Sequence, residues 1–260
     1  MAASAAMFRF YVRVVERGPR RERQDEHRLM SKPGPNERRA FFGRRKGHEL
    51  KPRQAELMQS LLPRLAVDLA APASTQLASL FPMPVGEVRL EIGFGGGEHL
   101  AAQALAHPSV GFIGCEPFLN GMAKGLALIE QHKLANVRLH FGDAIDLLDW
   151  LPRASLAQVD LLYPDPWPKK RHWKRRFVQE ATVGAIARIV RGGGMFRFAT
   201  DIPDYAAWTL ERVLRSPDFE WTALCAEDWR APWDGWSETR YEAKAKREGR
   251  TPNYFVFRRR

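Results

Sequence analysis

The sequence predicts an α/β protein with a mostly parallel, seven-stranded sheet covered by helices on both faces. Three observations carry this expectation. Short apolar runs alternate with helical periodicity from Val88 onward, the first run leads into a glycine-rich turn, and acidic residues recur at successive run ends. Taken in order, Val88–Ile92 reads as a buried strand, and Gly93–Gly97 as a turn opening a helix that runs to about Ala106. Val110–Cys115 is a second strand, followed by a helix from Phe118 to about His132, and Val137–Phe141 is a third strand. Val159–Leu162 is a fourth, and a helix over Phe177–Val190 is ended by Gly192–Gly194. Met195–Ala199 is a fifth strand, Tyr205–Leu214 a helix, Trp221–Leu224 a sixth strand and Asn253–Phe257 a seventh. Upstream, Leu57, Leu61, Leu62 and Leu65 form a helical stripe broken at Pro63, and Phe81-Pro-Met-Pro is a linker. Residues 1–40, rich in Arg, Glu, Gly and Pro, read as a basic, flexible extension, and residues 41–260 as one domain.

The chain has 260 residues, with 41 Lys and Arg against 30 Asp and Glu, a formal charge of +11. The surplus is concentrated. Residues 1–53 carry +9, Lys169–Arg176 +6 and Arg240–Arg260 +6, so the rest of the chain carries −10. An acidic body with three basic patches implies a polyanionic partner. Two cysteines, Cys115 and Cys225, exclude a disulfide framework and a four-thiolate zinc site, and both read as small core residues. No apolar run approaches the ~18 residues of a membrane helix. Arg9 and Arg13 interrupt the apolar N-terminus, so no signal peptide is expected and a cytoplasmic location is. The histidines lack ligand spacing, and metal dependence is not expected.

Leu90-Glu91-Ile92-Gly93-Phe94-Gly95-Gly96-Gly97-Glu98 places the glycine turn between strand and helix, where the backbone must turn tightly and approach a ligand. A dinucleotide site wants a third glycine where Glu98 stands, and an anion there opposes a pyrophosphate. Glu91, two residues before Gly93, suits the amino group of S-adenosylmethionine instead. Glu116 stands 21 residues after Gly95, where a carboxylate grips ribose hydroxyls. Asp143, after the third strand, suits the adenine amino group, or caps a helix.

After the fourth strand comes Tyr163-Pro164-Asp165-Pro166-Trp167-Pro168-Lys169-Lys170-Arg171-His172-Trp173-Lys174-Arg175-Arg176. Three prolines in five residues stiffen a loop that presents one carboxylate and one large aromatic. A carboxylate accepts from the N1–H and amino group of guanine, an aromatic stacks on a base, and the cations downstream hold phosphates.

With these motifs the chain resembles the bacterial tRNA (guanine-N7-)-methyltransferases over roughly residues 40–257, on Pro164-Asp165-Pro166-Trp167, Lys169 and the basic run above all. Phe198-Ala199-Thr200-Asp201 and Thr239-Arg240-Tyr241-Glu242, ahead of a basic C-terminal helix, fit the same family. The resemblance implies a class I, Rossmann-like S-adenosylmethionine-dependent methyltransferase fold. It implies that Glu91, Gly93, Gly95, Glu116, Asp143 and Asp165 bind the cofactor, with Asp165 catalytic. Lys169, Asp201, Thr239, Arg240, Tyr241 and Glu242 would contact the substrate, and Arg171, His172, Trp173, Lys174, Arg175 and Arg176 would bind RNA. The implied target is a guanine of the tRNA variable loop, position 46 in standard tRNA numbering, acted on by a monomer or homodimer.

Guanine N7 carries a free lone pair, so its attack needs no activated thiol and no strong base, and catalysis reduces to positioning and charge stabilisation. Three rivals compete: a methyltransferase acting on another RNA base position, a nicotinamide oxidoreductase, opposed by Glu98, and a non-catalytic RNA-binding protein, opposed by the intact cofactor motifs.

Overall fold

The computed structural model describes residues 41–260. The basic extension expected at 1–40 lies outside the described residues. Seven strands form one sheet: β1 (Glu87–Ile92), β2 (Val110–Cys115), β3 (Val137–His140), β4 (Leu156–Leu162), β5 (Val190–Thr200), β6 (Phe219–Trp221) and β7 (Asn253–Arg259). Their order is β3-β2-β1-β4-β5-β7-β6. The first five are parallel, and β7 runs antiparallel to both β5 and β6, so the sheet is mixed at that edge. The order reverses between β1 and β4, where open α/β sheets place their ligand crevice.

Both faces are covered. Ile113 and Cys115 of β2 pack into one core, while Val110 and Phe112 pack into the other, as period-two alternation in a doubly covered strand requires. The covering helices are α1 (Pro52–Ser60), α2 (Leu62–Leu65), α3 (Glu98–Ala106), α4 (Leu119–His132), α5 (Ala144–Trp150), α6 (Glu180–Ile189) and α7 (Pro203–Arg215). Near the C-terminus come the short α8 (Glu227–Arg230) and α9 (Arg240–Arg247). None of the described helices is long and apolar enough to cross a membrane. The stripe at Leu57 to Leu65 divides into α1 and α2 where Pro63 enters the first turn of the second helix.

Three local expectations are corrected. Gly192–Gly194 do not end the helix: α6 stops at Ile189, and the glycines lie inside β5. There Gly193 takes φ +73° and the register against β4 shifts, a bulge where Gly194 approaches the Ala157 carbonyl. The sixth strand is Phe219–Trp221, two residues earlier than its pattern. Cys225 therefore falls in an exposed loop instead of the core. The helix α5 was not assigned from sequence, and Asp143 is its N-cap, one of the two roles its position offered: Asp143 Oδ1 accepts the Ile145 N–H at 3.0 Å.

One row across the sheet is polar. Glu91 of β1 stands in register with Asp160 of β4, and Asp160 with Arg197 of β5. Arg197 donates from Nε and Nη2 to the two Asp160 oxygens at 2.6 and 2.8 Å, and Gln158 adds a bond to Asp160 at 2.9 Å. Burial opposes ionisation of Asp160, but the Arg197 charge outweighs it and holds the carboxyl below its ordinary range. The Trp233 ring lies under the Arg197 guanidinium, 4.5 Å from centroid to Cζ.

Candidate active site

The carboxyl ends of β1, β2 and β4 and the turn after β3 open onto one cleft of about 330 Å³. The glycine turn forms one wall. Gly93 and Gly95 take φ +71° and +61°, a region that strains any side chain with a Cβ. Gly97 packs against the backbone of Gly125 on α4, so the last glycine of the turn seats helix against helix. The Glu98 carboxylate lies against Gly96 at the start of α3, an anion at the helix end where a pyrophosphate would need to sit.

Glu116 is fixed by two backbone donors: Gly95 N–H gives to Oε2 at 2.6 Å and Phe118 N–H to Oε1 at 2.9 Å. Burial nevertheless pushes its carboxyl up to about 7, outweighing both bonds and the nearby Arg240 charge. Each oxygen keeps a lone pair for a ligand hydroxyl. Asp143 also lines the cleft, and its Oδ2 accepts from Phe41 N–H at 3.0 Å while Oδ1 caps α5. Asp165 lies at the cleft mouth, where desolvation by the walls raises its pKa.

Glu91 is placed differently from the other acids. It is 5% exposed, does not line the cleft, and pairs through Oε2 with His99 Nδ1 at 2.8 Å. Burial disfavours the imidazolium, but the Glu91 charge prevails and raises the His99 pKa.

A segment that the sequence did not mark crosses the cleft. Phe41, Phe42, Gly43 and Arg44 line it, with Phe41 on Asp143 and Gly43 beside Asp165. The strap is tied to the start of α4: Leu119 N–H donates to the Arg45 carbonyl at 2.9 Å, and Asn120 bridges Gly47 N–H and the His48 carbonyl at 2.7 and 2.8 Å. Its only sequence signal is the Phe41-Phe42 pair at the end of a polar stretch.

The loop after β4 is strained at two non-glycine residues, Tyr163 at φ +50° and Trp167 at φ +42°. Arg176 holds it in place. Its Nε donates to the Pro166 carbonyl at 2.8 Å, Nη2 pairs with Asp204, and the guanidinium lies among the Trp173, Tyr205 and Trp208 rings. At 2% exposure Arg176 offers no charge to RNA, a correction to its expected role. The reason is positional: it caps a 3-10 turn, Lys170–Arg175, that brings it back under the loop. Trp173 likewise packs edge-on against Trp208. Lys169, Lys170, Arg171 and Lys174 are exposed, His172 and Arg175 half-buried. Arg175 stacks between Trp167 and Phe42, at 5.0 and 5.8 Å, and so joins loop to strap.

The C-terminal motif divides. Thr239 caps α9 through Oγ1, which accepts Glu242 N–H at 3.1 Å. Glu242 is 1% exposed and accepts from Trp236 Nε1 and Tyr254 OH, with Lys246 paired at 2.7 Å. These two are buried supports of the helix start, which a Thr-x-x-Glu spacing also signals. Arg240 and Tyr241 instead lean over Gly95, and Tyr241 lines the cleft. Asp201 lies outside the cleft and pairs with Arg250 at 2.5 Å. Cys115 is buried in β2 with its thiol pKa pushed up by burial, unsuited to nucleophilic work.

The chain is similar in sequence and fold to known proteins. Residues 86–254 fit the family model described as "Putative methyltransferase". A tRNA (guanine-N(7)-)-methyltransferase of Rhodopseudomonas palustris (strain BisB5) is 60% identical over 85% of this chain and 86% of its own length. That of strain BisB18 is 62% identical, over 85% and 88%. Among solved structures, the 16S rRNA methyltransferase KamB shares the fold at TM-score 0.51 and 14% identity, over 73% of this chain and 94% of its own.

Proposed function

Since the chain belongs to the tRNA (guanine-N(7)-)-methyltransferase family, we propose that it methylates N7 of the guanine at position 46 of tRNA, using S-adenosyl-L-methionine. The observation that carries the reading is the convergence of Glu116, Asp143 and Asp165 on one cleft whose mouth adjoins exposed cations. The donor set suits this cofactor. Three carboxylates favour a ligand with cationic, hydroxyl and amino groups, and the cleft falls in the usual size range of small-molecule sites. Glu116 would hold the ribose hydroxyls and Asp143 the adenine amino group. Glu91, set behind the turn by His99, would act on the amino-acid end. Bound there, the cofactor supplies a methyl group made electrophilic by its sulfonium.

The chain's own residues do the rest by placement. Asp165 orients the guanine and faces the positive charge that N7 gains, and Trp167 offers a stacking surface. No proton has to leave N7, so the site needs no strong base. The strap, bonded to Asp143, and the Arg176-held loop fix the cofactor and acceptor sides of the cleft relative to each other. Lys169, Lys170, Arg171 and Lys174 hold phosphates. The deciding experiment is incubation with radiolabelled S-adenosyl-L-methionine and unmodified tRNA, followed by chemical cleavage at 7-methylguanine. Label at one variable-loop guanine is the expected result; label elsewhere would identify another base position.

A further inference from the structure

We propose that Arg240 is the partner of the cofactor's carboxylate, an inference that rests on the S-adenosylmethionine reading and names a subsite within it. The amino-acid end of that cofactor carries an ammonium and a carboxylate. In a cleft lined by Glu116, Asp143 and Asp165 the ammonium is welcome, but the carboxylate meets like charge unless a cation receives it. Arg240 is placed for this. Its Nη2 would stand 3.2 Å from a Cβ built on Gly95, so the guanidinium lies directly over the glycine turn. Its charge reaches the Glu116 carboxyl. Its Nη2 donates to the Tyr241 hydroxyl at 3.1 Å, a neutral partner, and its Cζ lies 4.8 Å from the centre of that ring. Among the described residues it forms no salt bridge.

Arg240 stands at the rim, over Gly95 and beside the lining residue Tyr241, and the two cations that line the cleft itself are placed otherwise. Arg175 is stacked between Trp167 and Phe42 on the acceptor side, and Arg44 rides on the exposed strap. Arg240 is also presented from a rigid base. The Thr239 cap, the buried Glu242 with its Trp236, Tyr254 and Lys246 partners, and buried Ala245 fix the first turn of α9. A guanidinium held there offers a planar fork that matches a carboxylate, which a lysine does not reproduce. The same residue thus brings the C-terminal helix onto the cofactor, and the role assigned is distinct from contacting tRNA phosphate.

The test uses the full chain and isothermal calorimetry with two ligands, S-adenosyl-L-methionine and its decarboxylated analogue, with tRNA affinity measured in parallel against salt. Wild type should prefer the carboxylate-bearing ligand. Arg240→Gln should reduce that preference by about 10- to 100-fold, the worth of a charge-assisted bond, with tRNA salt dependence unchanged. Arg240→Lys should keep part of the preference, and Arg44→Gln all of it. Equal weakening of both ligands by Arg240→Gln, or loss of the preference in Arg44→Gln instead, would overturn the assignment. So would an intact preference accompanied by a shallower tRNA salt slope, which marks a phosphate contact. Wild type that binds neither ligand would sink the cofactor reading itself, a result distinguishable from all of these.

Discussion

Glu116 combines two demands that pull against each other: it must accept from a ligand as an anion, yet burial brings its pKa to about 7. The sign of the pH dependence follows. A carboxyl raised above its ordinary value contributes stability that is full at pH 4 and is lost as pH rises through about 7. Cofactor affinity runs the other way, because the ligand needs the ionised form. Calorimetry at pH 6 in buffers of different ionisation enthalpy should therefore show proton release on cofactor binding, fading by pH 8.5; proton uptake at pH 6 would contradict this. At Asp165 the expectation concerns charge. Asp165→Asn keeps the shape of the side chain and removes the charge that faces N7, so kcat should fall by about 100-fold or more. Near-normal turnover with only a raised KM would assign the residue to positioning alone.

The acceptor loop and its basic run behave as one element with two kinds of arginine and lysine. Arg176→Ala removes the bond to the Pro166 carbonyl and a cation packed among three rings, and should cost about 3 kcal/mol in urea unfolding. Replacing Lys170, Arg171 and Lys174 together by Ala touches exposed groups only. Stability should stay within about 0.5 kcal/mol per site, while tRNA binding weakens and its log–log salt slope flattens by roughly 2, at about 0.7–0.9 per phosphate contact. If the triple variant unfolds as readily as Arg176→Ala, the division is wrong. Sequence alone made these residues one run, because burial at Arg176 arises only when the 3-10 turn folds it beneath the loop.

Across the whole molecule the polar row Glu91–Asp160–Arg197 crosses the sheet behind the cleft and meets Trp233 from the C-terminal segment. Asp160→Ala leaves a buried guanidinium without its carboxylate and should destabilise by about 3–5 kcal/mol, read from denaturant midpoints. Replacing Asp160 and Arg197 together with apolar residues of similar volume should recover most of that loss; no recovery would mean that the pair's net interaction, and not the orphaned charge, dominates.

Much of this protein was determined by local pattern. The glycine turn, the strand-end acids Glu116 and Asp143, and the rigid Asp165 loop were legible because strand, turn and helix each have a short-range signature, and strand ends converge in any open parallel sheet. Only the tertiary structure decided what each charged group faces. Glu91 meets His99, Arg176 meets the Tyr205 and Trp208 rings, Glu242 meets Trp236 and Tyr254, and Phe41 meets Asp143, each partner outside the element that carries the residue. A side chain's charge is written in the sequence. Whether it is buried, paired or free to take a ligand depends on which elements pack over it, and that is settled by the fold as a whole.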